Sequence, residues 1–147
     1  MLGDSLQPST LARERLRNDI RHLALWTFQG WLAMAFIGAG YAKTSESLTT
    51  LQGLLSWFRP ELEVLTRALG LVEICLGLAM LVPLLSWKIG RPVLLAGAVG
   101  VIALSMIMIV VHGRKAEVEA VLLNVALVLL GVAVSIGRQP GAPCLLR

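Results

Sequence analysis

Three features predict an all-α integral membrane four-helix bundle: four apolar runs long enough to cross a bilayer, charges gathered between those runs, and one carboxylate, Glu73, stranded inside the second. The expected additions are an amphipathic N-terminal arm and a short interfacial helix between helices one and two. The runs cover 23–42, 68–87, 92–111 and 120–136, close to the ~20 residues that a hydrocarbon core of ~30 Å requires. A mean hydropathy of +0.78 with only 15% charged residues excludes an ordinary soluble domain. The connections are too short to fold separately, so a single transmembrane domain, 23–137, is expected, with helices at 23–43, 64–87, 92–112 and 118–136. The net charge of +4 does not point to nucleic acid, because the basic residues flank the apolar runs.

Residues 1–22 read as a basic amphipathic arm. Residues 1–9, with Gly3, Asp4, Gln7 and Pro8, are expected to be irregular, and a helix to begin after Ser9 or Thr10. Leu11, Leu16 and Ile20 share one side, while Arg13, Arg15, Arg17 and Arg21 populate the rest. That pattern suits a helix on anionic headgroups, and equally a positive anchor that sets topology. The first run, at ~20 residues, outlasts the ~7–15 of a signal-peptide core, so it reads as a retained span. Its Gln29, Ala33, Phe36, Gly40 and Lys43 form one face in steps of four and three, and Trp26, Trp31 and Tyr41 read as aromatic belts.

In the 44–59 connection, Ser45 is the expected cap of a short helix whose Leu48, Leu51, Leu55 and Phe58 recur along one stripe. Such a helix lies in the interface or tucks over the mouth of the bundle. Pro60 suits the first position of the second helix, with Glu61 and Glu63 favourable in its first turn. Ser86 to Arg91 reads as a tight connection, and Pro92 as the start of the third helix. His112-Gly-Arg-Lys115 ends that helix, Glu117 and Glu119 open the fourth, and Gly137 closes it before an irregular tail, 138–147.

The stretch around Glu73 organises these helices. Gly70, Glu73 and Gly77 are spaced i, i+3, i+7 and share a face, the pattern of a surface that another helix approaches closely. Gly40, Gly97, Gly100 and Gly131 are the expected packing positions on the other helices. At 1.5 Å per residue from the ends of the runs, Glu73 lies ~12 Å deep, and Ser105 and Asn124 roughly 10 Å deep. Lys43, Tyr41 and His112 stand near the boundary on the same side, and the six residues are candidates for a small intramembrane polar pocket. Two readings of Glu73 balance. As interhelical glue it is protonated and hydrogen-bonded to Asn124, worth ~0.6–2 kcal/mol. As a functional group it belongs to a pocket for a small ligand or a proton. Ion pairing with Lys43 instead requires the lysine stem to reach inward.

No catalytic set emerges from the residues, and no cofactor is evident. His112 at the boundary, with no second histidine near it in the sequence and no paired cysteines, makes no metal site. Cys75 is about 200° around the helix from Glu73 and reads as a space filler. With Cys144 in the tail, no C-x-x-C is present to support a dithiol relay. Arg13, Arg15, Arg17, Arg21, Lys88, Arg91, Arg138 and Arg147 fall on one side of the membrane, against Lys43, Arg59, Arg67, Arg114 and Lys115 on the other. The excess predicts cytoplasmic N- and C-termini.

Gly38-Ala-Gly-Tyr-Ala-Lys43 closes the first helix, and Gly70-Leu-Val-Glu73 with Gly77 marks the second. The third helix is uncharged and a short basic link leads to the fourth. On these features the chain, from Trp31 to Gly137, resembles the DoxX-like family of small four-helix membrane proteins. The resemblance implies a bundle that works beside a partner in the bacterial plasma (inner) membrane, with Lys43 and Glu73 at the family's charged positions. Relatives include the membrane subunit of a thiosulfate:quinone oxidoreductase, and more distant ones assist assembly or export of membrane proteins. The expectation is a membrane subunit or assembly partner that is not an enzyme on its own. It would sit in the lipid bilayer beside another membrane or membrane-associated protein, a homo-oligomer being the other arrangement. The alternative is a membrane subunit of a quinone-linked or sulfur-compound oxidoreductase complex, the quinone coming through the partner complex.

Overall fold

The computed structural model describes residues 7–139, with side chains from Ala12 onward. The expectations for residues 1–6, for the side chain of Leu11 and for the tail from 140 to 147, Cys144 and Arg147 included, lie outside the described residues. Helices α1 (Gln7–Ser45), α2 (Leu48–Leu54), α3 (Glu63–Leu81), α4 (Trp87–Gly113) and α5 (Val118–Gly137) follow in order, with 3-10 turns at Pro60–Leu62 and Val82–Leu84. Four segments are long and apolar enough to cross a membrane: Ala12–Ser45, Pro60–Leu84, Trp87–Gly113 and Val118–Gly137. Their outward faces are apolar too. Val64, Leu84, Val99, Leu122 and Ile136 are all more than half exposed, and a surface of that kind around a whole bundle needs lipid as its solvent. The protein is an all-α membrane protein.

Helix α1 packs on α3 and α5, and α4 packs on the same two, which closes a ring of four helices. The core is Leu32, Ala33 and Phe36 of α1, Met80 of α3, Leu94, Ala98 and Val101 of α4, and Val134 of α5. Between helices in lipid the hydrophobic effect gives no drive, so close van der Waals contact has to supply it. The α1–α3 crossing shows how close that contact is. A Cβ on Gly40 would stand 2.4 Å from the Gly70 carbonyl oxygen, and one on Gly77 would stand 2.6 Å from Ile37 Cγ1. Gly97 and Gly100 receive side chains of α3, and Gly131 receives Ile102 of α4.

Several boundaries differ from expectation. The arm and the first span form one uninterrupted helix that already includes Gln7–Ser9, because Pro8 falls in the first turn, where its missing N–H is no loss. The cap of α2 is Ser47 and not Ser45. The Ser47 hydroxyl accepts from the Thr50 amide at 3.2 Å, while Ser45 still belongs to α1 and donates to the Tyr41 carbonyl at 2.8 Å. Pro60 opens a 3-10 turn, and α3 proper starts at Glu63. Helix α4 begins at Trp87, ahead of Pro92, after an extended Ser86. A Pro in the second turn forgoes a single helical hydrogen bond, and Gly90 lets this early turn press on the backbone of Pro83. Cys75, expected to fill space, is exposed.

Candidate functional site

Lys43 stands in the last turn of α1, and the Cα–Cβ bonds of a helix tilt toward its N-terminus. That tilt carries the lysine stem back into the bundle. Its ammonium donates to Glu73 Oε1 at 2.7 Å and Oε2 at 2.6 Å, with the two residues only 7% and 5% exposed. The Gly40–Gly70 contact one turn away makes the approach short enough. Arg67 fixes the end of α1 from which the lysine reaches: its Nη1 donates to the carbonyls of Lys43, Thr44 and Glu46 at 3.1, 2.8 and 2.9 Å. These include last-turn carbonyls that lack helical partners. The expected bond from Glu73 to Asn124 is not formed. Asn124 Nδ2 donates instead to the Ala120 carbonyl of its own helix at 2.8 Å, because the carboxylate already has a charged donor.

A cavity of about 150 Å³ opens beside the ion pair, with Lys43, Glu73, Ser105, His112 and Asn124 among its lining residues. Five of the six candidates therefore meet. Tyr41 does not: it is 64% exposed, as its position about 200° around the helix from Lys43 dictates. The remaining wall is mostly apolar, with Phe36, Leu104, Met108 and Leu127 prominent. Ser105 is 1% exposed, and its hydroxyl has no hydrogen-bond partner among the described residues.

Helix α2 and the segment after it cover this end of the bundle. Leu51 and Phe58 are buried, and Leu55 and Trp57 lie against the cavity. The α4–α5 turn, closed by Ala116 at φ 56°, holds that segment in place. Lys115 donates its ammonium proton to the Ser56 carbonyl, and His112 Nδ1 lies 2.5 Å from Glu117 Oε2. Hydrogen bonding from Ser56, and then from His112, holds the Glu117 carboxyl below the usual carboxylate range.

A second polar cluster, which the sequence reading missed, lies at the opposite end of the α1–α3 crossing. The Arg138 guanidinium donates to Gln29 Oε1 from Nε at 3.0 Å and from Nη2 at 2.8 Å, with its Nη1 3.3 Å from His22 Nε2. Its central carbon lies 5.1 Å from the Trp26 ring centroid and 4.9 Å from that of Trp87, which is cation–π range. Gln29 Nε2 donates to the Met80 carbonyl at 3.2 Å, tying α1 to α3, and Arg91 Nε donates to the Arg138 carbonyl at 2.9 Å. Among the described residues, no group of three or more His, Cys, Asp or Glu is placed to hold a metal ion.

The sequence model of the DoxX-like family matches residues 27–134. No curated protein and no solved structure matches the chain. Lys43, Glu73, Ser105, His112 and Asn124 all fall inside the family match, whereas Trp26 and Arg138 fall outside it.

Proposed function

The chain belongs to the DoxX-like family, and from that premise we propose that it is a non-catalytic membrane subunit or assembly partner with a small intramembrane polar pocket around Glu73. The Lys43–Glu73 pair carries this reading. A buried ion pair is a poor way merely to join two helices, since the cost of desolvating both charges offsets most of their attraction. Apolar residues of the same volume would join α1 and α3 as well. Ionisable groups inside a membrane are expensive and mark function by default, and this pair borders a cavity instead of being sealed in the core.

The exposed start of α1 supports the partner half of the reading. Arg13, Arg15, Arg17 and Arg21 there are exposed, and so are Leu16, Ile20 and Leu23. That mixed basic and apolar surface suits anionic lipid headgroups and a neighbouring protein at the same level. In this reading the chain sits in the bacterial inner membrane with both termini cytoplasmic.

The test is affinity purification of the tagged chain from its native membranes in mild detergent, with mass spectrometry of what accompanies it. A Lys43→Met/Glu73→Leu double variant serves as the comparison. One membrane or membrane-associated protein should recur in near-stoichiometric amount and be depleted with the double variant. If that protein is a redox enzyme, the subunit role takes its quinone- or sulfur-linked form. A chain that purifies alone, or an isolated chain that turns over a quinone with a reduced sulfur compound, would contradict the proposal.

A further inference from the structure

We infer that the cavity beside Lys43 and Glu73 binds a small neutral ring compound bearing one hydroxyl, a molecule of the phenol class, with its hydroxyl on Ser105 and Asn124. The inference rests on the pocket reading above and gives that pocket a ligand.

Size is the first argument. The cavity measures about 150 Å³, and an apolar cavity of roughly that volume admits one benzene-sized ring. The volume limits what sits inside the cavity to about one ring. The wall suits a ring, since Phe36 offers an aromatic surface and Met108 a flexible thioether that packs well on ring edges.

Ser105 supplies the second argument. Other hydroxyls in these helices turn back on their own backbone: Thr44 donates to the Gly40 carbonyl at 3.0 Å, Thr66 to Leu62 at 2.9 Å and Ser135 to Gly131 at 2.8 Å. Ser105 makes no such bond, although it is 1% exposed and lines the cavity. A buried hydroxyl left without a partner is costly, so the site is incomplete until something occupies it. Asn124 lines the same cavity and commits Nδ2 to the Ala120 carbonyl, so the group it offers a ligand hydroxyl is its accepting amide oxygen. A ligand hydroxyl can accept from Ser105 and donate to Asn124, which a carbonyl or an ether cannot do.

The third argument concerns charge. The ammonium of Lys43 and the carboxylate of Glu73 satisfy each other at 2.6 Å. An ionic ligand would have to break that pair, whereas a neutral one leaves it in place.

The probes are 4-fluorophenol and fluorobenzene, followed by fluorine NMR on the full chain in lipid nanodiscs, with empty nanodiscs correcting for partition into lipid. 4-Fluorophenol should saturate one site and be displaced by phenol. Fluorobenzene, which lacks the hydroxyl, should bind about a hundredfold more weakly, the scale of two buried hydrogen bonds at about tenfold each. Ser105→Ala, which removes one of those two bonds, should weaken 4-fluorophenol about tenfold and leave fluorobenzene unchanged, while Ser105→Leu should exclude both probes by filling the space. No saturable signal beyond that of empty nanodiscs would mean that the cavity holds water alone, and would overturn the inference. Equal affinity of the two probes, or an inert Ser105→Ala, would overturn it as well. The two proposals fail separately: loss of the probe effect with the partner protein still co-purifying removes the ligand and leaves the subunit role.

Discussion

Both ends of the α1–α3 crossing bury a cation, and they satisfy it in different ways. The Lys43 ammonium is a compact, strongly hydrated charge, and it rests on one carboxylate at 2.6 and 2.7 Å. The Arg138 guanidinium is planar and more weakly hydrated, and it is shared between the Gln29 amide oxygen, His22 and the faces of Trp26 and Trp87. Among the described residues, the compact charge is met at short range by one carboxylate, whereas the planar, delocalised one spreads its donors and its flat face over several side chains. The lysine end therefore hangs on a single partner and borders a cavity, while the arginine end is distributed and filled by indoles. The first arrangement leaves room for a ligand, and the second works as a clamp.

The comparison predicts unequal losses. Glu73→Ala strands a buried ammonium and should cost roughly 3–5 kcal/mol in detergent unfolding, the penalty of breaking a buried pair from one side. Midway between the two ends, Gly77→Leu should cost about 1–3 kcal/mol by overpacking, because even a Cβ there would meet Ile37 Cγ1 at 2.6 Å and the Ala33 carbonyl oxygen at 3.0 Å. Leu78→Ala next to it, on a side chain 51% exposed, should stay within about 0.5 kcal/mol. Equal tolerance of the two changes would mean that the crossing does not bind the ends together. At the arginine end, Arg138→Lys keeps the charge but loses the fork on Gln29 and the flat stacking, so the expected cost is about 1–2 kcal/mol, measured the same way. A loss as large as that of Glu73→Ala would erase the distinction between the ends.

The smallest effect concerns the turn that holds the cavity cover. Because the Glu117 carboxyl is held low in the folded protein, its contribution is complete above the ordinary carboxylate range. It is lost as pH falls through the depressed folded value, since only the folded state favours the ionised form. The midpoint of thermal unfolding should therefore fall on the acid side with a slope that Glu117→Gln removes. An unchanged slope would show that the His112–Glu117–Ser56 contacts do not secure the cover.

The lysine end was largely legible in the sequence and the arginine end was not. Gly70, Glu73 and Gly77 announce a close-packed polar face through their spacing alone, and depth counted along the helices brings Ser105 and Asn124 to the same level. The partner of Glu73 was harder to read, because Lys43 lies at the edge of its run and only the backward tilt of helical side chains brings it in. The arginine clamp joins Gln29 to a residue 109 positions away. Its parts each have a familiar local meaning: Arg138 as a topology charge after the last helix, Trp26 as a belt aromatic and Trp87 as the end of the second apolar run. The one available signal was Gln29, an amide inside an apolar run that needs a buried partner. Arg67 likewise reads as a boundary charge, and nothing local reveals that it caps the end of α1. The third transmembrane helix starts at Trp87 and not at Pro92, because proline is also tolerated in the early turns of a helix.

A double-mutant cycle on Lys43→Met and Glu73→Leu, read as unfolding free energy in one detergent, tests most directly whether the two charges exist for each other. Each single change should be strongly destabilising, and the double variant should regain most of the loss, giving a coupling of roughly 2–3 kcal/mol or more between the two positions. Losses that simply add would contradict the claim, because each charge would then be satisfied by something other than its partner.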